Sequence, residues 1–179
     1  MKRLRIDLDE LQKAMEDIER EAFDYFLDRE TGDIIILSED IIARAHGLLE
    51  ENFDDDLAEY DEVELDHDFT VPEWIEDEVE LALDIFLRQP EQYARVPERQ
   101  SRGGYEAMKE FTELVDDPDL KKDLLEILEG KGAFRRFKTA LDDHPKARKQ
   151  WYGLNAKLAR REIFEWLASI GIDGEHKKE

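Results

Sequence analysis

The chain has 179 residues, no cysteine, and 26 Lys+Arg against 48 Asp+Glu, for a formal net charge of -22 at pH 7. With 41% of residues hydrophobic it can close one core, and the lack of cysteine excludes disulfides, thiolate nucleophiles and Cys-ligated zinc or iron-sulfur centres. An acidic excess of this size repels phosphate backbones and anionic membrane surfaces at long range, and no stretch suits a membrane span or a secretory signal, so a cytoplasmic protein is expected.

In chain order, Ile6 to Leu11 reads as a helix start, with Asp7 as cap, Glu10 completing a capping box and Ile6 with Leu11 as a staple; this helix should run to about Arg20. Phe23 to Asp28 and Ile34 to Leu37 flank Arg29-Glu30-Thr31-Gly32-Asp33, and the economical reading is a β-hairpin with Gly32 at positive φ. Ser38 can cap a helix whose first turn holds Glu39 and Asp40 and whose stripe is Ile41, Ile42, Ala45, Leu48 and Leu49, ending near Asn52. The acidic stretch Asp54 to Asp68 alternates Val63, Leu65, His67 and Phe69 with acids, which permits a short strand or a solvated loop.

A further helix is expected from Thr70 and Pro72, with Thr70 and Glu73 as a capping box, Phe69 and Trp74 as a staple, and Val79, Leu83, Phe86 and Leu87 buried. Gln89 to Gly104 reads as a connection, with Tyr93 to Val96 extended and the glycine pair Gly103-Gly104 as loop. The rest reads as helical: Met108, Phe111 and Val115 on one helix, then Asp117-Pro118 opening a second lined by Leu120, Leu124, Ile127 and Leu128. After Gly130-Lys131-Gly132 a short helix carries Phe134, Phe137 and Leu141, and Pro145 opens a long segment bearing Trp151, Leu158, Ile163 and Trp166, thinned at Gly153. Gly171 suits its cap, and residues 173 to 179 should fray. The expected architecture is an α+β domain, mainly helical, with an N-terminal β-hairpin and a C-terminal helical lobe. It is one domain over 1 to 179, with an acidic lobe over 1 to 96 and a helical lobe over 97 to 172.

Charge reverses along the chain. Residues 130 to 179 hold 12 Lys+Arg against 7 Asp+Glu, whereas residues 1 to 129 hold 14 against 41. The segment from Asp119 to Leu141 superficially resembles a helix-turn-helix whose second helix offers Arg135, Arg136 and Lys138, and Lys157, Arg160 and Arg161 would extend a basic patch for an anion or partner. The blander reading pairs these cations with acids, for example Lys138 with Asp142 at i,i+4, and places Phe134, Phe137, Trp151 and Trp166 in the core. The acidic stretch lacks an EF-hand pattern, and His67 has no second histidine at ligand spacing, so no metal and no cofactor is expected. No P-loop, dinucleotide fingerprint or nucleophile elbow occurs, and no catalytic residue is singled out.

Gly130-x-Gly132-Ala133-Phe134-Arg135-Arg136-Phe137-Lys138, Trp151-Tyr152, Glu165-Trp166-Leu167 and the hairpin residues Tyr25, Leu27-Asp28 and Glu30-Thr31-Gly32 resemble a bacterial uncharacterised protein family of the UPF series, over most of residues 4 to 172. The resemblance implies a small nonsecreted bacterial protein and carries over no activity or site. The functional expectation is a non-enzymatic macromolecular interaction or regulatory protein, with a protein partner favoured over nucleic acid. The alternatives are a nucleic-acid-associated module using the basic patch and an enzyme with an unrecognised carboxylate or metal site.

Overall fold

A computed structural model describes residues 1–17, 19–52, 71–89, 91–99 and 101–177, with backbone alone at 51, 52, 101 and 102. Its contacts divide into two compact units, one of residues 1–98 with 167–179 and one of residues 99–166. Mainly helical α+β architecture follows from seven α-helices and two small sheets among the described residues.

In the first unit, strand β1 (Lys2–Ile6) alternates exposed Lys2, Arg3 and Arg5 with buried Leu4 and Ile6. Helix α1 (Leu8–Glu16) follows, capped by Asp7, whose carboxylate accepts from the Asp9 and Glu10 amides at 3.0 and 2.9 Å. It stops four residues short of the expected Arg20. Asp17 is extended, and its side chain accepts from the Glu19 amide at 2.9 Å and from the Tyr25 hydroxyl, so the aspartate offers the backbone an alternative to another helical turn. Arg20, whose side chain is only 6% exposed, then donates to the carbonyls of Ala14 and Val96 and to Asp24.

The expected hairpin is present. Strands β2 (Phe23–Asp28) and β3 (Ile34–Ser38) pair antiparallel with Tyr25 opposite Ile36, and β4 (Tyr93–Arg95) pairs antiparallel on the other side of β2, in the order β3-β2-β4. Asp28 accepts from the amides of Glu30 and Thr31 within the hairpin turn. Gly32 there has φ +78°, and a Cβ would stand 2.4 Å from the Arg5 carbonyl oxygen, so conformation and space both require glycine. Helix α2 (Glu39–Asn52) begins with Ser38 accepting from the Ile41 amide; Ile41, Ile42 and Ala45 join Phe26, Leu37 and Tyr93 in the core. A 3-10 turn at Glu73–Ile75 leads into α3 (Glu76–Leu87), which adds Val79, Ala82, Leu83 and Ile85. The expected strand in 63–69 and the partners of Glu73 and Trp74 at Thr70 and Phe69 lie outside the described residues.

The tail reading is corrected. Strand β5 (Ile172–His176) pairs parallel with β1, from Lys2 opposite Ile172 to Ile6 opposite His176, and the Leu8 amide donates to His176 Nδ1 at 3.3 Å. Residues 173 to 176 of this strand fall in the tail expected to fray, 173 to 179. It is held through backbone pairing, which polar residues supply as well as apolar ones.

The second unit is helical. It holds α4 (Ser101–Leu114), α5 (Pro118–Leu128), α6 (Ala133–Leu141) and α7 (Pro145–Ser169) up to Trp166. Phe111, Phe137 and Trp151 meet edge to face, with ring centroids 5.6 Å apart for Phe111 and Trp151 and 4.9 Å for Phe137 and Trp151, at the centre of a core that includes Met108, Leu124 and Leu141. Gly153 does not interrupt α7; it lies on the exposed side, with nothing near the position a Cβ would take.

Candidate functional site

Asp117 caps α5 by accepting from the amides of Asp119 at 2.9 Å and Leu120 at 3.2 Å, with Pro118 in the first turn. The helix ends at Leu128, and Gly132, at φ +69°, reverses the chain into α6. Within α6, Phe137 and Leu141 are fully buried, which turns Arg135, Arg136 and Lys138 outward, and all three are exposed. Among the described residues none of them has a carboxylate within 4.0 Å. Asp142, the expected partner of Lys138, is instead met by Arg148 at 3.6 Å. The Arg136 guanidinium folds back over the turn, where a Cβ on Gly130 would stand 2.7 Å from Nη1.

The sequence on either side of these residues is rich in cations. From Lys131 to Arg161 the chain holds 10 Lys+Arg against 2 acids, Asp142 and Asp143. The second unit as a whole has 15 Lys+Arg and 13 Asp+Glu, net +2, and the first unit has 11 and 35, net -24. Lys157, Arg160 and Arg161 stand on the middle of α7, apart in sequence from the α6 cations. Lys157 and Arg161 are exposed, Arg161 with Glu165 at 4.0 Å, whereas Arg160 is half-buried and already engaged. Arg135, Arg136 and Lys138 are therefore gathered on one helix, and the α7 cations form a second, partly paired group.

Phe134 is not the core residue its spacing predicts. It is 42% exposed, and its ring stands tip-first against α4, where a Cβ on Gly104 would lie 2.0 Å from Cζ and 2.9 and 3.1 Å from the two Cε atoms. Gly103 makes similar room for the Glu162 carboxylate, which receives the Arg99 guanidinium at 3.0 Å. The glycine pair expected in a loop is thus the first turn of α4. The missed signal was that two adjacent glycines in a helix cost roughly 1 kcal/mol each relative to alanine, a cost that close approach by other groups explains. Tyr105, the next residue along α4, is 40% exposed.

An open hollow of about 380 Å³ lies where the starts of α5 and α7 meet, lined by Asp116, Asp117, Asp143, His144, Lys146 and Gln150 among others. Its charges are of both signs. Among the described residues no group of three or more histidines and carboxylates could hold a metal, and no helix is long and apolar enough to cross a membrane. His67 and its acidic neighbours lie outside the described residues.

No curated protein and no solved structure matches the chain. A family model described as Uncharacterised protein family (UPF0158) matches residues 63–177, a span that takes in α3 through β5 and with them the exposed cations of α6. The chain belongs to the UPF0158 family.

Proposed function

We propose that the protein is a macromolecular interaction protein whose α6 face docks an extended anion, the phosphodiester backbone of a nucleic acid. The observation that carries this reading is the exposure of Arg135, Arg136 and Lys138 without a carboxylate within 4.0 Å among the described residues. Such cations keep their full charge for a partner, and phosphate contacts of this kind supply most of the sequence-independent affinity of nucleic-acid binding. The expectation of a protein partner rested on the net charge of -22, which repels phosphate at long range, and an open patch on α6 counts towards an anionic partner. A phosphodiester backbone is the anionic macromolecule that this reading takes as the partner.

The test is fluorescence anisotropy with labelled 20-mer oligonucleotides, single-stranded and duplex, for wild type and Arg135→Glu/Arg136→Glu. Binding should weaken steeply as salt rises above 0.1 M and fall by about tenfold or more in the variant, with its circular dichroism unchanged. Failure of the wild type to bind either oligonucleotide, or an unaffected variant, overturns the reading. The net charge of -24 on the first unit favours a second reading, in which that surface receives a basic protein segment; cross-linking to a lysine-rich peptide would test it.

A further inference from the structure

The α6 face carries more than charge, and the addition is the Phe134 ring. A ring that only fills a core belongs to a buried residue; this one has its tip against Gly104, and the residue as a whole is 42% exposed. The absence of a side chain at Gly104 keeps the ring upright beside α4, with Tyr105 following in that helix. Lys138 lies one turn on from Phe134, displaced about 6 Å along the axis and on the same side of the helix, with Arg135 next to them. An aromatic surface flanked by exposed cations is the arrangement with which proteins hold a nucleic-acid strand whose bases are free to stack.

We infer that the partner of the α6 face is single-stranded nucleic acid, with a base stacked on Phe134 and the neighbouring phosphates on Arg135 and Lys138. This rests on the backbone-docking reading above and narrows it. The duplex alternative is weaker because paired bases are stacked on one another and expose edges rather than faces, so a duplex offers the Phe134 ring nothing to stack on. Charge complementarity and ring exposure are separate observations that agree on this occupant.

The closing experiment measures anisotropy at 0.1 M salt for 12-mers of thymidine, of uridine, of abasic deoxyribose-phosphate and of a self-complementary duplex. The abasic strand keeps the phosphates and removes every base, so it separates stacking from charge. Wild type should bind the base-containing strands about 5- to 100-fold more tightly than the abasic one. Phe134→Leu, which retains an apolar tip against Gly104, should erase that preference while leaving abasic binding in place, and Phe134→Trp should keep it. Arg135→Glu/Lys138→Glu should lower binding to all four. Equal affinity for abasic and thymidine strands, tightest binding to the duplex, or a preference that survives in Phe134→Leu would overturn stacking and leave backbone docking standing; no binding to any of the four would overturn both. The thymidine and uridine arms tell whether DNA or RNA is favoured.

Discussion

Phe137→Ala tests the rotation of α6, on which the candidate site depends. Phe137 is fully buried and packs edge to face on Phe111 at 5.9 Å and on Trp151 at 4.9 Å, so truncation removes a whole ring from the centre of the second unit. Buried Phe→Ala changes cost about 3–5 kcal/mol. A unit of 68 residues has a total stability of about 3–10 kcal/mol on the usual per-residue scale, so the variant should sit near the point of unfolding. Phe134→Ala, three residues earlier but 42% exposed, gives up only part of its burial and should cost about 1 kcal/mol. Urea denaturation followed by tryptophan fluorescence reads the difference directly, because Trp151 touches Phe137. If the two truncations cost the same, or Phe134→Ala costs more, α6 is turned otherwise, and Arg135 and Lys138 do not share the exposed face.

Asp7→Ala should destabilise the first unit by about 1 kcal/mol at pH 7 in chemical denaturation, through loss of the α1 cap. The amide of Glu10 in particular holds the Asp7 carboxyl below its usual value, so this stabilisation is present above about pH 4 and is lost as pH falls through the folded-state pKa; the gap between variant and wild type should close in acid, and a constant gap would refute the cap. Tyr25, through its hydrogen bond to Asp17, and Tyr93, through burial, are each pushed up to about 12, so an ultraviolet titration of wild type against Tyr25→Phe and Tyr93→Phe should assign each a transition near that pH. The raised values make the neutral phenols part of the fold's stability, which is complete below pH 10 and declines towards pH 12; Tyr25→Phe should flatten that decline. Truncation after Gly171 removes β5 and uncovers Leu4 and Ile6, and a marked fall in melting temperature is expected, whereas an unchanged melt would restore the frayed-tail reading.

Elements whose signals are local were legible in the sequence. The hairpin announced itself by β-branched residues around a glycine turn, α5 by Asp117-Pro118, and the buried stripes of α2, α3 and α5 by their spacing. What was missed depended on partners distant in sequence. Strands β1 and β5 are 170 residues apart at the Lys2 and Ile172 pair, and neither has hydrophobic content that would reveal a strand without the other. Phe134 has the same i,i+3 relation to Phe137 that marks a core stripe, yet it stands half-exposed with its tip at Gly104, a neighbour thirty residues away that spacing does not reveal. The cations at the site were visible, but their pairing was not: i,i+4 spacing offers Asp142 to Lys138, whereas the structure has Asp142 near Arg148.

The proposed function also has to meet the net charge of -22 that first argued against it. The two effects differ in range. Contact between a phosphate and Arg135 or Lys138 acts over a few ångströms, whereas repulsion by the acidic excess acts over the Debye length, about 30 Å at 0.01 M salt and about 8 Å at 0.15 M. At the lowest salt an approaching strand feels the charge of the whole molecule and is repelled; near 0.1 M it feels chiefly the nearby side chains, which on α6 are the exposed Arg135, Arg136 and Lys138. At higher salt, counterion competition weakens the contacts themselves. Affinity should therefore pass through a maximum at intermediate salt, unlike that of a uniformly basic protein, which declines throughout. A titration from 0.01 to 0.5 M decides the matter: a monotonic decline from the lowest salt would mean that the acidic excess does not reach the bound strand, and flat binding would mean that α6 makes no phosphate contact.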